Sequence, residues 1–180
     1  MALIEAEGAQ AASMTRLATE LGCGLIALYS HVPSTQALLD GVADTVAADT
    51  VAAGLANTAE LAAGWSARLR AQTLAARRAA AAHPRSVIAV AGREPATASA
   101  RRPAERAQAT LRGAGFGQPD AARIARVLAA YQVGWLVLEV GVAPGLRTDG
   151  PASTGGQDRA THDADFEFGL DLLLRGMAGC

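Results

Sequence analysis

The sequence predicts an all-α fold, and three observations carry that prediction. Apolar residues recur at helical spacing along most of the chain. Ala, the strongest helix former, fills whole stretches such as residues 79–82, and no strand pattern or internal repeat competes. With 180 residues, 51% of them hydrophobic, 18% charged and 4% aromatic, the chain has material for one or two small domains with a real core. That balance excludes a disordered tail and a disulfide-stapled mini-protein.

The chain opens on a short apolar stretch, Ala2, Leu3 and Ile4, before Gly8, room only for a truncated first helix. Met14, Leu17, Ala18 and Leu21 then fall at i, i+3, i+4 and i+7. Leu25, Leu28, Tyr29 and Val32 repeat that spacing after a break at Gly22, Cys23 and Gly24. Two short helices joined by a tight turn are expected, with Ser13 as N-cap, Gly22 as a left-handed terminator and Pro33 as the stop. A third helix is expected over residues 34–51, with Leu38, Leu39, Val42 and Val46 on one stripe, ending before Gly54.

Asn57 and Glu60 have the form of a capping box. The helix they open, about 23 residues long, runs through Trp65, Leu69 and Leu74 to His83 and Pro84. A short helix over 85–92 follows, then a loop over 92–102, then a helix opened by Pro103 in its first turn and closed by Gly113 or Gly115. Asp120 opens the most apolar helix, in which Ile124, Val127, Leu128, Tyr131, Trp135 and Leu138 leave almost no polar face over the second half. Such a helix must be buried on all sides, which in so small a chain points to a helix shared with a second subunit. Residues 141–163, rich in Gly, Pro, Ser, Thr and Asp, are expected to be disordered. The final helix carries Phe166, Leu170, Leu173, Leu174 and Met177 on one face. The division this implies is residues 1–51, a helix-turn-helix with its connecting helix, and residues 52–180, a helical ligand-binding and dimerisation domain.

Two helices around a glycine turn are on geometry alone equally an αα-corner. Here the run Met14-Thr15-Arg16-Leu17-Ala18-Thr19-Glu20-Leu21-Gly22-Cys23 is followed by Leu28-Tyr29-Ser30-His31-Val32-Pro33 and by Leu38-Leu39-Asp40. The paired signatures resemble the helix-turn-helix of the tetracycline-repressor family. The resemblance extends through Trp65, His83-Pro84, the segment Leu111-Arg112-Gly113-Ala114-Gly115-Phe116, Gly134, Glu139 and the closing Phe166-Glu167-Phe168-Gly169-Leu170. It implies a homodimeric, ligand-responsive transcriptional repressor whose two recognition helices read successive major grooves of a palindromic operator. A small effector in each helical domain would then swing the helix over 34–51 and spoil the half-site spacing.

Residue by residue, the resemblance places Ser13 against a phosphate and Thr15 and Arg16 near the DNA, with Tyr29 and His31 at backbone-contact positions. Ile26, Ala27 and Ser30 point away from the core stripe; Ile26 and Ala27 can read a thymine methyl but offer no bidentate hydrogen bonds. The family's phosphate-contacting lysine is replaced by Thr35. Arg16 is the only Arg or Lys in residues 1–35, against Glu5, Glu7 and Glu20, so operator binding by this chain is expected to be weak. A start site placed too late, or a trimmed chain, accounts for the short first helix. The alternative is a helical small-molecule-binding or dimerisation module that has lost operator binding.

Trp65, Leu69, Gln72, Ala76, Val87, Val90, Leu111, Tyr131, Trp135 and Glu139 are the candidates for an apolar effector pocket, with Gln72 and Glu139 able to orient a ligand. Each apolar member is equally plain core. The position aligned with a histidine that joins a magnesium-bound drug in the tetracycline repressor is Val90, which has no lone pair to donate, so neither metal nor cofactor is expected. His83 reads as a helix-end residue and His162 as part of the disordered segment.

The composition and remaining motifs narrow the classes further. A net charge of −1 announces no nucleic acid by bulk electrostatics, and all 16 basic residues are Arg. Cys23 and Cys180 lie near opposite ends with no CxxC or Cys/His cluster, as expected for a reduced chain with inert thiols. No phosphate loop, GxSxG or HExxH supports an enzyme, and Asp163, Asp165 and Glu167 read as charges favourable at a helix N-terminus. No apolar run of bilayer length and no basic leader is found, so a cytoplasmic protein without a membrane partner is expected.

Overall fold

The computed structural model describes residues 1–55, 64–140 and 159–178. Every regular element among them is helical. In order they are α1 (Ala2–Glu7), a 3-10 turn (Ala9–Ala11), α2 (Met14–Leu21), α3 (Leu25–His31), α4 (Thr35–Leu55), α5 (Trp65–Ala82), α6 (Pro84–Ala91), α7 (Ala98–Gly113), α8 (Gln118–Val140) and α9 (Arg159–Ala178). The described residues of Met1–Ala56 and Ala75–Arg106 form one compact unit, and those of Asn57–Leu74 and Ala107–Cys180 a second.

In the first unit, Ser13 caps α2 by accepting the Arg16 N–H at 3.2 Å. Gly22 ends α2 at φ +63°, with Gly22 N–H donating to Thr19 O at 3.2 Å and Cys23 N–H to Ala18 O at 3.1 Å. That pair of bonds closes the last turn and turns the chain into α3, a geometry in which any Cβ is strained. Met14, Ala18 and Leu28, flanked by Leu17 and Val32, form a small core beneath the two helices.

α6 packs on both α1 and α4. α1 is too short to persist alone, and its hold on α6 is reciprocal. The Glu5 carboxylate accepts the backbone N–H of Arg85 at 3.2 Å and of Ser86 at 2.7 Å, while Arg85 Nη1 donates to the carbonyls of Glu5 and Ala6, each at 3.1 Å. The free amides of the first turn of α6 thus receive an anion, and the free carbonyls ending α1 a cation. α4 is tied to the segment after α6 by Asp40–Arg93 at 3.0 Å and by the Thr97 hydroxyl on Asp44.

The second unit is built on Leu69, Leu111, Ala121, Leu128, Phe166, Leu170 and Leu174. The predicted inward face of α9 is observed, Leu173 and Met177 packing against this core. Tyr131, Trp135 and Phe166 form an aromatic cluster, with ring centroids 4.9 Å apart for Tyr131–Phe166 and 6.2 Å for Trp135–Phe166. Tyr131 donates to Phe166 O at 2.7 Å. Gly169 permits this approach, because a Cβ there would collide with the Tyr131 hydroxyl and lie 3.1 Å from Cζ.

Several expectations need correction. α4 continues through Gly54, since a glycine inside a helix costs only about 1 kcal/mol and Arg106 Nη1 donates to Val51 O at 3.2 Å near its end. α7 begins at Ala98, not at Pro103, because the Thr97 hydroxyl caps it by accepting Ala100 N–H at 3.0 Å; Pro103 lies inside the helix. α8 begins at Gln118, leaving Asp120 in its first turn rather than opening it. α9 starts at Arg159, so residues 159–163 and His162 are helical rather than disordered. Glu167 is consequently well inside α9, where it pairs with Arg70 at 2.6 Å instead of serving a helix N-terminus. α8 is also long and apolar enough by length and composition to cross a bilayer, contrary to the expectation, although Ala121 and Leu128 lie in the protein core. Asn57, Glu60 and residues 141–158 fall outside the described residues.

Candidate functional site

The first candidate site is the surface of α2 and α3. The capping of α2 by Ser13 and the left-handed Gly22 set α3 as the second helix of a helix-turn-helix, and burial of Leu28 fixes which face of α3 looks inward. Ile26, Ala27, Tyr29, Ser30 and His31 are all exposed, Ile26 at 89% and Tyr29 at 45%. An isoleucine that exposed has no role in the fold of this unit. Ser30 Oγ donates to Ala27 O at 2.7 Å, so its proton is committed within the helix. Thr15 and Thr35 are exposed, Thr15 O accepting from Thr19 Oγ1 at 3.0 Å.

Arg16 is held by acids. Its Nη2 and Nε meet Glu7, the latter at 3.2 Å, and its Nη1 meets Glu20 at 3.2 Å. The hydrogen bonds from Arg16 hold the Glu7 carboxyl below its usual range and raise the guanidinium in turn. Sequence reasoning singled out Arg16 but missed its sequestration. The i,i+4 spacing to Glu20 was a readable signal; Glu7, nine residues away across a glycine turn, was not.

The effector candidates divide between the two units. In the second, Leu69 and Leu111 are fully buried, and Trp65, Tyr131 and Trp135 pack against the same core, Trp65 edge-on to Phe116 at 5.2 Å. Gln72 Nε2 donates to Thr110 Oγ1 at 3.0 Å, whereas its buried Oε1 has no hydrogen-bond partner among the described residues. Glu139 is half-buried near the end of α8. Ala76, Val87 and Val90 are half-buried in the first unit.

A cleft of about 280 Å³ in the second unit, between α5 and α9, is lined by Ser66, Arg70, Asp171, Leu174, Arg175 and Ala178 and shares no residue with the predicted pocket. Arg70, which donates to Asp171 at 3.0 Å and to Glu167, is held above its usual range by those bonds, and the Arg70–Asp171 pair lines the cleft. Among the described residues no three of His, Cys, Asp and Glu converge as metal ligands.

Residues 58–145 match the family model of the tetracyclin repressor-like C-terminal domain. A possible TetR family transcriptional regulator from Streptomyces coelicolor A3(2) is 29% identical, with a TM-score of 0.76 over 98% of this chain and 94% of that one. A single-residue variant of TetR from Acinetobacter baumannii AYE, solved with minocycline, is 27% identical at a TM-score of 0.75 over 98% and 90% of the two chains. ActR from Streptomyces coelicolor, solved with actinorhodin, is 25% identical at a TM-score of 0.73 over 99% and 92%. No curated protein matches this chain.

Proposed function

We propose that this chain, which belongs to the tetracycline-repressor family, is a repressor that binds palindromic operator DNA as a homodimer and is released by a small apolar effector. In general terms it is a ligand-responsive transcriptional regulator. The observation that carries the finer reading is the exposed outer face of α3, presented by a capped and glycine-terminated helix-turn-helix. The working division is residues 1–51 for operator contact and residues 52–180 for ligand and dimer, with no catalytic step.

In this reading the effector site is at Gln72. A buried amide oxygen without a partner is costly, and a ligand donor would satisfy it while the apolar body of the ligand meets side chains of the Trp65, Tyr131 and Trp135 kind. The related TetR and ActR were solved with minocycline and actinorhodin, which makes those two molecules the first probes. Neither metal nor cofactor enters this reading.

A second reading, a helical ligand-binding and dimerisation module without operator binding, is favoured by one observation: the only basic Arg or Lys side chain of residues 1–35 is paired with Glu7 and Glu20. The experiment separating the two is recovery of bound fragments from a genomic DNA library at low salt, followed by titration of whole and half palindromes. The operator reading expects two protomers per palindrome and weaker binding to a half-site. Absence of any sequence preference overturns it in favour of the second.

A further inference from the structure

We infer that operator discrimination by this chain runs through the 5-methyl groups of thymine, read by Ile26 and Ala27 in the first turn of α3. The inference rests on the operator reading above and names the chemistry of the base edges that site takes. The first residues of the second helix of a helix-turn-helix are the ones that reach base edges in the major groove. Here they are Leu25, Ile26 and Ala27, following a Gly24 that carries no side chain.

Readout of guanine or adenine by hydrogen bonds needs a forked donor or donor–acceptor pair from Arg, Lys, Asn or Gln. Residues 24–35 contain none of these. Ser30, on the outer face one turn beyond Ile26, has its proton on Ala27 O at 2.7 Å. Arg16, on the preceding helix, has its guanidinium on Glu7 and Glu20. Tyr29 and His31, also exposed, lie in the second turn of α3, at the positions the family resemblance gives to the DNA backbone, so what the first turn offers to base edges is apolar: Ile26 at 89% exposure, Leu25 at 40%, and the methyl of the exposed Ala27. Among the groups that base pairs present in the major groove, the thymine methyl is the apolar one. Ile26 against that methyl removes both from water, which for a surface of this chemistry is the available source of discrimination.

The test uses the full chain at low ionic strength to enrich duplexes from a randomised pool. Enriched half-sites are expected to carry thymine at the positions facing α3. Replacing those thymidines by deoxyuridine, which deletes the methyl and leaves pairing intact, should weaken binding about fourfold per methyl removed, the equivalent of burying one CH₂. In Ile26→Ala, whose exposed position spares the fold, the difference between thymidine and deoxyuridine duplexes should shrink or vanish. Equal affinity for the two duplexes overturns this inference and leaves the operator reading standing. Enrichment of nothing over the input overturns the operator reading and this inference with it, and an undiminished difference in Ile26→Ala overturns the assignment to Ile26.

Discussion

Single side chains decide two properties of this molecule. Arg16 is the only Arg or Lys of residues 1–35, and Glu7 and Glu20 hold it. Releasing it by Glu7→Gln together with Glu20→Gln should tighten binding to a generic duplex and steepen its log–log salt dependence by about 0.9, the slope of one more neutralised phosphate. Fluorescence anisotropy across a salt series reads this, and an unchanged slope would show that Arg16 faces no phosphate. The carboxyl of Glu7 is held below its ordinary value of 4.5, so the pairing is complete above that value. Its contribution is lost only as pH falls through the lowered one. At Gly169 the constraint is steric, since the Tyr131 ring occupies the place of a side chain. Gly169→Ala should destabilise the fold by about 1–3 kcal/mol in urea denaturation, as overpacking does, and the cost should fall in a Tyr131→Ala background.

Elements whose ends are written in adjacent residues were legible before the structure. Ser13, Gly22 and Pro33 bound α2 and α3 as expected, because caps and left-handed terminators act within one turn of the chain. The start of α7 was misread for the complementary reason. Pro103 has the local signature of a first-turn proline, but Thr97, itself fixed by Asp44 more than fifty residues earlier in the chain, caps the helix upstream of it. The proline therefore lacks the N–H that would have bonded the carbonyl of Ser99, four residues back, and the helix tolerates the loss. Replacing it should reverse the loss: Pro103→Ala is expected to raise stability by about 1–2 kcal/mol, less than the full cost of an interior proline because the unfolded chain also gains freedom. Thermal melting checks it, and a lowered midpoint would mean that Pro103 makes stabilising interactions of its own. The candidate effector residues were legible only as a helical stripe, which cannot separate pocket from core; full burial of Leu69 and Leu111 is a fact of packing between distant segments.

For the whole molecule the proposed homodimer gives the sharpest expectation. α9 buries Phe166 and Leu170 but exposes Phe168 at 63% and Leu172 at 52%, and α8 exposes Val127 at 49%. Apolar groups left outside on these two helices are the surface a second copy would cover in a four-helix bundle. Phe168→Arg with Leu172→Arg should convert a dimer to a monomer in analytical ultracentrifugation, and persistence of the dimer would place the interface elsewhere. Interactions of this range, like the pairing of Arg70 with Glu167 97 positions away, leave no trace in local spacing. The same holds for α1, whose six residues are held by α6 through Glu5 and Arg85, 80 positions apart. During synthesis at about 5–20 residues per second, α1 must wait about 4–16 s after emerging before its partner helix exists. Residues 2–7 thus gain their shape only some eighty residues after they are made, a stretch that stays open to proteases and chaperones while the ribosome finishes the segment that will dock it.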